Sequence, residues 1–134
     1  SKVKRIDAVG VSVLTPFEDI ANVRLNFANG CVVNLTASRI SEDPLRKIRI
    51  FLKDTYISLD YQAQEAFSYK KEKTSIIKTA IPIEKEEPIK KEIESFVVCV
   101  RNNRKPIVSR IEAYEALKLA TKIRDLIWKK RSLL

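Results

Sequence analysis

Residues 19–39 of the chain read DIANVRLNFANGCVVNLTASR, and this stretch decides the fold. Asn29-Gly30 at its centre is a strong hairpin signal, because a type I′ turn needs a positive φ at both central residues. Apolar and polar side chains alternate before the turn, over residues 23–27, and after it, over residues 33–38. The stretch therefore predicts a β-hairpin with one buried face.

Further strand-like segments lie on both sides of this hairpin. Residues 3–14 are rich in β-branched side chains and stop at Thr15-Pro16. Downstream, the segments 47–52, 56–61, 66–71 and 74–81 are also strand-like, with short turns at Lys53-Asp54 and Glu72-Lys73. About seven strands joined by short turns favour mostly antiparallel pairing.

Two helices are predicted after the strands. Pro88 suits the first turn of a helix that ends before Pro106 and has the apolar stripe Ile89, Ile93, Phe96, Val97 and Val100. Ser109 and Glu112 form a capping box for the last helix, whose apolar stripe is Ala113, Ala116, Leu117, Ala120, Ile123 and Ile127. The expected fold class is α+β: one open antiparallel sheet of about seven strands with two C-terminal helices packed on one face, in a single domain over residues 1–134.

Two helices cannot cover both faces of a sheet of about seven strands. The other face meets solvent, a ligand, another domain or another subunit. Its candidate residues are mostly polar: Arg24, Asn34, Thr36, Ser38, Lys47, Arg49 and Phe51.

Composition excludes several kinds of active site. The chain has no His, two Gly and two Cys, so a Ser-His-Asp triad, a His-containing or four-thiolate zinc site, and a glycine-rich nucleotide fingerprint are all ruled out. The carboxylate pairs Glu18/Asp19 and Asp54/Asp60 have spacings that favour turn or surface roles over a catalytic dyad. A binding or accessory domain is favoured.

The start of the chain and its hydropathy bear on its origin. The chain begins at Ser1 and contains no Met, which suggests a fragment of a longer protein. The longest apolar run, residues 96–100, falls far short of the ~20 residues that span a membrane, and no signal-peptide pattern is present. We therefore expect a cytoplasmic protein with no membrane partner.

The formal net charge of +9 is concentrated near the C-terminus. Residues 101–134 carry 10 basic and 3 acidic side chains, a net +7. Such a surface can bind nucleic acid or an anionic membrane, but the acidic residues mixed into the polar face favour a solvated helix face.

The order of these segments resembles the C-terminal domain of the Gfo/Idh/MocA oxidoreductases, the relatives of glucose–fructose oxidoreductase and inositol dehydrogenase. Residues 19–39 resemble that family's Asp-x-Ala, strand, aromatic, Gly turn, strand and Ser-Arg pattern, and residues 46–51 and 56–60 its continuation. Pro88 to Pro106 with Ile107-Val108-Ser109 resembles the segment before its last helix. Residues 110–113 depart from the family, which often has Gly and acidic residues there. The resemblance therefore implies no substrate contact for that loop.

The resemblance implies a partial enzyme. Full-length members have an N-terminal Rossmann domain that binds NAD or NADP, and Glu-Lys-Pro and His-x-x-x-Asp motifs that supply the catalytic residues. This chain has none of these, so it is expected to have no catalytic, cofactor-binding or metal-binding residues and to be inactive alone. The parent protein is expected to be an NAD(P)-dependent dehydrogenase acting on a CH–OH group of a sugar or sugar nucleotide, for which a UDP-amino-sugar 3-dehydrogenase is one possibility.

The resemblance also implies a substrate surface and a partner. Arg39, Lys47 and Arg49 are the predicted substrate-binding residues, since Arg and Lys suit a diphosphate; the alternative for each is an exposed charge at a strand end. The open sheet face is expected to form a homo-oligomer, with no nucleic acid bound. A basic nucleic-acid-binding module and a purely structural dimerisation domain stay as alternatives.

Overall fold

The computed structural model describes residues 1–131 of the chain and divides them into two compact units. The first unit comprises Ser1–Glu42 together with the chain from Lys105 onward, and the second comprises Asp43–Arg104. None of the helices in the described part is both long enough and apolar enough to span a membrane.

The first unit contains a three-stranded antiparallel sheet. Strands β1 (Val3–Val11), β2 (Ile20–Phe27) and β3 (Val32–Ser38) lie in the order β1-β2-β3. The predicted β2–β3 hairpin is present, but its turn differs from type I′, because φ is positive at Gly30 (86°) and not at Asn29. The Gly30 N–H donates to the Phe27 carbonyl at 3.1 Å, and the Phe27 N–H donates to the Cys31 carbonyl at 2.9 Å. This is a three-residue connection that uses a left-handed glycine.

Helix α2 (Arg110–Arg131) covers one face of this sheet. The core comprises Ala8, Val23, Leu25 and Ile127, with Leu119 and Ile123 packed against it. Leu117, predicted to face the core, is 67% exposed. Ile123 and Ile127 of the predicted stripe do face the sheet, and Leu119 extends them to an i, i+4, i+8 series, whereas Leu117 of the same stripe does not.

The second unit contains a four-stranded antiparallel sheet followed by a helix. Strands β4 (Lys47–Phe51), β5 (Thr55–Asp60), β6 (Glu65–Glu72) and β7 (Ser75–Ile81) pair in sequence order. Lys73 has a positive φ of 51° in the β6–β7 turn. Helix α1 (Pro88–Arg101) follows.

The α+β class, the seven strands, their antiparallel pairing and the two helices are confirmed. Two details differ from the expectation. The strands form two sheets of three and four strands, because β3 and β4 are joined by an irregular segment that contains Pro44 instead of a hairpin turn. In addition, only α2 packs its apolar stripe on a sheet: α1 has no buried residue, and Phe96 in its stripe is 57% exposed.

Candidate substrate-binding surface

Arg39 lies just after β3 and is held by the loop that precedes β2. Its guanidinium Nη2 donates to the Glu18 carbonyl at 2.9 Å, and its Nε is 3.6 Å from Oδ1 of Asp19. Its backbone N–H donates to the Asp19 carbonyl at 2.9 Å. The predicted site residue Arg39 is therefore anchored in the first unit, although its side chain is half-exposed.

Asp19 is the residue on which that loop depends. It is 2% exposed, and its Oδ2 accepts backbone N–H bonds from Val13, Leu14 and Thr15 at 2.8, 2.7 and 2.9 Å. The Thr15 hydroxyl donates to Oδ1 at 2.9 Å. The N–H of Thr15, then that of Val13, hold the pKa of the Asp19 carboxyl well below its usual range, because these bonds form to the charged group. The spacing of Glu18 and Asp19 indicated a turn or surface role, and Asp19 has a turn role. The signal for its particular partners is an Asp four residues beyond Thr15, within reach of the loop backbone.

Lys47, the second predicted site residue, is engaged in an ion pair on the four-stranded sheet. Its Nζ lies 3.0 Å from Oδ2 of Asp60, the residue opposite it on β5. Oδ1 of Asp60 accepts the backbone N–H groups of Gln62 and Ala63 at 3.0 and 2.9 Å. The Ala63 N–H and then the Lys47 ammonium lower the pKa of Asp60. Lys47 can therefore bind an anionic ligand only while its ammonium also interacts with the Asp60 carboxylate.

Arg49, the third predicted residue, is available for a ligand. It lies opposite Ser58 and two residues from Lys47, so both basic residues share one face of the sheet. Arg49 is exposed and forms no ion pair within the part of the chain that the structure describes. The structure thus brings Lys47 and Arg49 together on β4, whereas Arg39 belongs to the other unit.

A row of aromatic rings on the same face was not predicted as part of a site. Phe51, Tyr56 and Tyr69 lie directly opposite one another on β4, β5 and β6. The Phe51 and Tyr56 ring centroids are 4.8 Å apart with an interplanar angle of 13°, and those of Tyr56 and Tyr69 are 5.0 Å apart at 26°. We call these three residues the aromatic row. Strand register alone brings them together, so only the pairing of β4, β5 and β6 could have revealed it.

A cleft of about 240 Å³ lies at the turn end of the aromatic row. It is lined by the three rings of the row, two lysines, one aspartate and three other residues: Phe51, Tyr56, Tyr69, Lys53, Lys71, Asp54, Leu52, Thr55 and Ile76. The cleft therefore offers flat apolar surfaces beside positive charge. We call it the row cleft.

The described residues do not fit a dinucleotide cofactor. Gly10 lies within β1, where an added Cβ would meet Cγ of Glu18 at 2.6 Å and Cγ2 of Ile127 at 2.8 Å, so this glycine permits close packing of α2. Gly30 is in a hairpin turn, and neither glycine opens a helix where a pyrophosphate would bind.

The N-terminus of α2 is also unsuited to a pyrophosphate, because a carboxylate of the same helix caps it. The Glu112 carboxylate accepts the Ser109 N–H at 2.8 Å, the bond predicted for a capping box, and it also accepts the Ser109 hydroxyl. The Ser109 hydroxyl chiefly accounts for the lowered pKa of Glu112, so this helix end carries a carboxylate where a pyrophosphate would be repelled. Within residues 1–131, no group of three or more His, Cys, Asp or Glu side chains is placed to hold a metal ion.

Comparison with known proteins gives a consistent result. No protein-family profile matches the chain. A UDP-N-acetylglucosamine 3-dehydrogenase from Acidithiobacillus ferrooxidans is 28% identical over 125 residues, which cover 89% of this chain and 40% of that protein. Solved structures of the UDP-N-acetylglucosamine 3-dehydrogenase GnnA from the same organism superpose with TM-scores of 0.85 (crystal form P21) and 0.83 (P212121). Both are 28% identical and match 92% of this chain.

The predicted resemblance to the Gfo/Idh/MocA oxidoreductases is confirmed. The chain is similar in sequence and fold to part of such a dehydrogenase, and it spans about 40% of the length of the relatives it matches. The fold similarity extends through both units, since the matched region covers 92% of the chain.

Proposed function

We propose that this chain is the C-terminal substrate-binding and oligomerisation domain of a cytoplasmic NAD(P)-dependent dehydrogenase that oxidises a CH–OH group of a sugar nucleotide. The observation that carries this proposal is the match over nearly the whole chain, in sequence and in fold, to a UDP-N-acetylglucosamine 3-dehydrogenase. By that similarity, a UDP-N-acetylamino sugar is the substrate to test first.

The substrate surface of the second unit has the charge that a sugar nucleotide requires. A diphosphate is bound best by Arg and Lys donors, and Arg49 is an exposed arginine without an ion pair in the described residues. We assign Arg49 the leading role. Lys47 contributes through the charge it shares with Asp60. Arg39 belongs to the first unit and is proposed there as a separate contact to an anion, through the part of its guanidinium that its loop contacts leave exposed.

The chemistry divides between this chain and the rest of the proposed parent protein. Oxidation of a carbinol needs a hydride acceptor, which in the proposed dehydrogenase is the nicotinamide ring, and the described residues offer no pyrophosphate cradle to hold that cofactor. The residues of this chain would therefore bind and orient the substrate, and the chain alone would not turn it over. The test is nicotinamide reduction by the complete gene product with a UDP-amino sugar. No reduction with any sugar nucleotide would overturn the proposal.

Oligomerisation is proposed from a second surface. The face of the four-stranded sheet opposite the aromatic row carries aliphatic side chains that are 38–43% exposed: Ile48, Ile50, Ile77 and Ile81. Side chains of this kind stabilise an assembly when another subunit covers them. We infer that this apolar face, rather than the polar face expected from the sequence, forms the contact in a homo-oligomer.

A further inference from the structure

The outermost ring of the aromatic row has one free face. β4 is an edge strand of its sheet, so no strand of the described residues pairs with it on the far side of Phe51, and Phe51 is 74% exposed. Its other face stacks on Tyr56, which stacks on Tyr69. An exposed aromatic ring that its neighbours hold in a fixed orientation is a preorganised surface on which a flat ring can stack.

Positively charged side chains lie on the same surface as the aromatic row. Lys53 and Lys71 line the row cleft, and the Lys78 ammonium lies 4.0 Å from the Phe67 ring centroid and 5.8 Å from that of Tyr69. None of these three lysines forms an ion pair with a carboxylate of the described chain. Their charges are therefore free to pair with a phosphate.

The row cleft also contains one carboxylate. Asp54 lies at its turn end, where its backbone carbonyl accepts the Lys71 N–H at 3.2 Å. A carboxylate beside a stacked base suits the hydroxyls of a ribose, as in dinucleotide sites. The row cleft thus has aromatic rings for a base, lysines for a phosphate and a carboxylate for a ribose.

From this arrangement we propose that the row cleft binds the nucleoside diphosphate end of the substrate, with the base stacked on Phe51 and the phosphates near Lys53 and Lys71. The volume of about 240 Å³ is below the ~300–1,000 Å³ of a pocket that encloses a whole ligand, so the cleft holds one end of the molecule and leaves the sugar outside. This inference rests on the proposed function, and it adds the aromatic row and two lysines to the residues assigned above.

The test is calorimetric titration of the chain with UDP. Saturable binding of one UDP is expected, with weaker binding of uridine, which lacks the phosphates, and of ribose 5-phosphate, which lacks the base. Phe51→Ala should weaken UDP binding by roughly tenfold or more, because one base-stacking contact is lost. Lys71→Gln should weaken UDP binding and reduce its dependence on salt.

The matched control is Tyr61→Ala, which removes a 55% exposed aromatic ring of the same unit that does not line the row cleft. It should leave UDP binding unchanged. Absence of UDP binding, or equal weakening by Phe51→Ala and Tyr61→Ala, would overturn the inference. Tighter binding of oligouridylate than of UDP, per nucleotide, would also overturn it, since the surface would then be a binding site for single-stranded RNA.

Failure of this inference and failure of the proposed function give different results. If the complete gene product oxidises a sugar nucleotide and the chain does not bind UDP, only the row cleft is assigned wrongly. If the chain binds UDP through Phe51 and the complete product oxidises no sugar nucleotide, only the dehydrogenase function is wrong.

Discussion

At the scale of single residues, one carboxylate organises the loop between the first two strands. Asp19 accepts three consecutive backbone N–H groups and a hydroxyl, and so satisfies donors that the loop could not pair in regular structure. The same residue lies beside Arg39. The position of a predicted substrate residue therefore depends on a carboxylate that has a structural role.

The lowered pKa of Asp19 predicts acid sensitivity. Because its pKa is lower in the folded state than in the unfolded chain, its stabilising effect is complete above the unfolded pKa of about 3.9 and is lost as the pH falls toward the folded pKa. Asp19→Asn should lower the urea midpoint at pH 7 and flatten the fall in the free energy of unfolding below about pH 4.

The control for this measurement is Asp43→Asn, which changes an exposed carboxyl on the β3–β4 connection. Urea titrations of both variants from neutral to acidic pH provide the comparison. Equal slopes for Asp19→Asn and the unsubstituted chain below about pH 4 would contradict the assigned role of Asp19.

At the scale of elements, α2 stabilises the three-stranded sheet through one stripe of its surface. Ile127 is 4% exposed in the core with Ala8, Val23 and Leu25, whereas Leu117 on the same helix is 67% exposed. Ile127→Ala should therefore cost about 2–5 kcal/mol of unfolding free energy, and Leu117→Ala about 0.5 kcal/mol or less. Chemical denaturation of the two variants checks this, and similar losses for both would show that the helix packs by its predicted stripe.

Local patterns predicted the elements better than their assembly. The Asn29-Gly30 turn and the alternation around it predicted the β2–β3 hairpin, because both signals are local in sequence. The division into two sheets depends on the segment between β3 and β4, where Pro44 interrupts regular pairing and no turn signal sets a register. An amphipathic stripe likewise shows that α1 has an apolar face without showing what covers it.

The candidate site could be predicted in part for the same reason. A period of two places Lys47 and Arg49 on one face of β4, so sequence alone predicts that they lie together. The ion pair of Lys47 with Asp60 and the stacking of Phe51 on Tyr56 and Tyr69 depend on the register between strands. That register is set by contacts between segments that are distant along the chain, which local patterns do not contain.

At the scale of the whole molecule, the two faces of the four-stranded sheet have different proposed roles. In these proposals the face with the aromatic row would bind the substrate, and the apolar face would join subunits. Sedimentation equilibrium should therefore show a concentration-dependent oligomer that Ile50→Lys dissociates, because a buried unpaired ammonium is unfavourable in an apolar contact. Ile107→Lys, at a position that is 90% exposed, is the control and should leave the oligomer intact. A monomer at all concentrations would contradict the proposed assembly.

The most direct test of the central claim is the rate of nicotinamide reduction by the complete gene product with UDP-N-acetylglucosamine and either NAD⁺ or NADP⁺. The account predicts turnover with the sugar nucleotide and none with N-acetylglucosamine alone, since the nucleoside diphosphate supplies the contacts to the aromatic row and to the basic residues of the four-stranded sheet. It also predicts that Arg49→Ala raises the KM for the sugar nucleotide by roughly tenfold with little change in kcat, because a charge-assisted contact remote from the reacting carbon is removed. A folded, complete product that reduces neither nicotinamide with any sugar nucleotide would contradict the account.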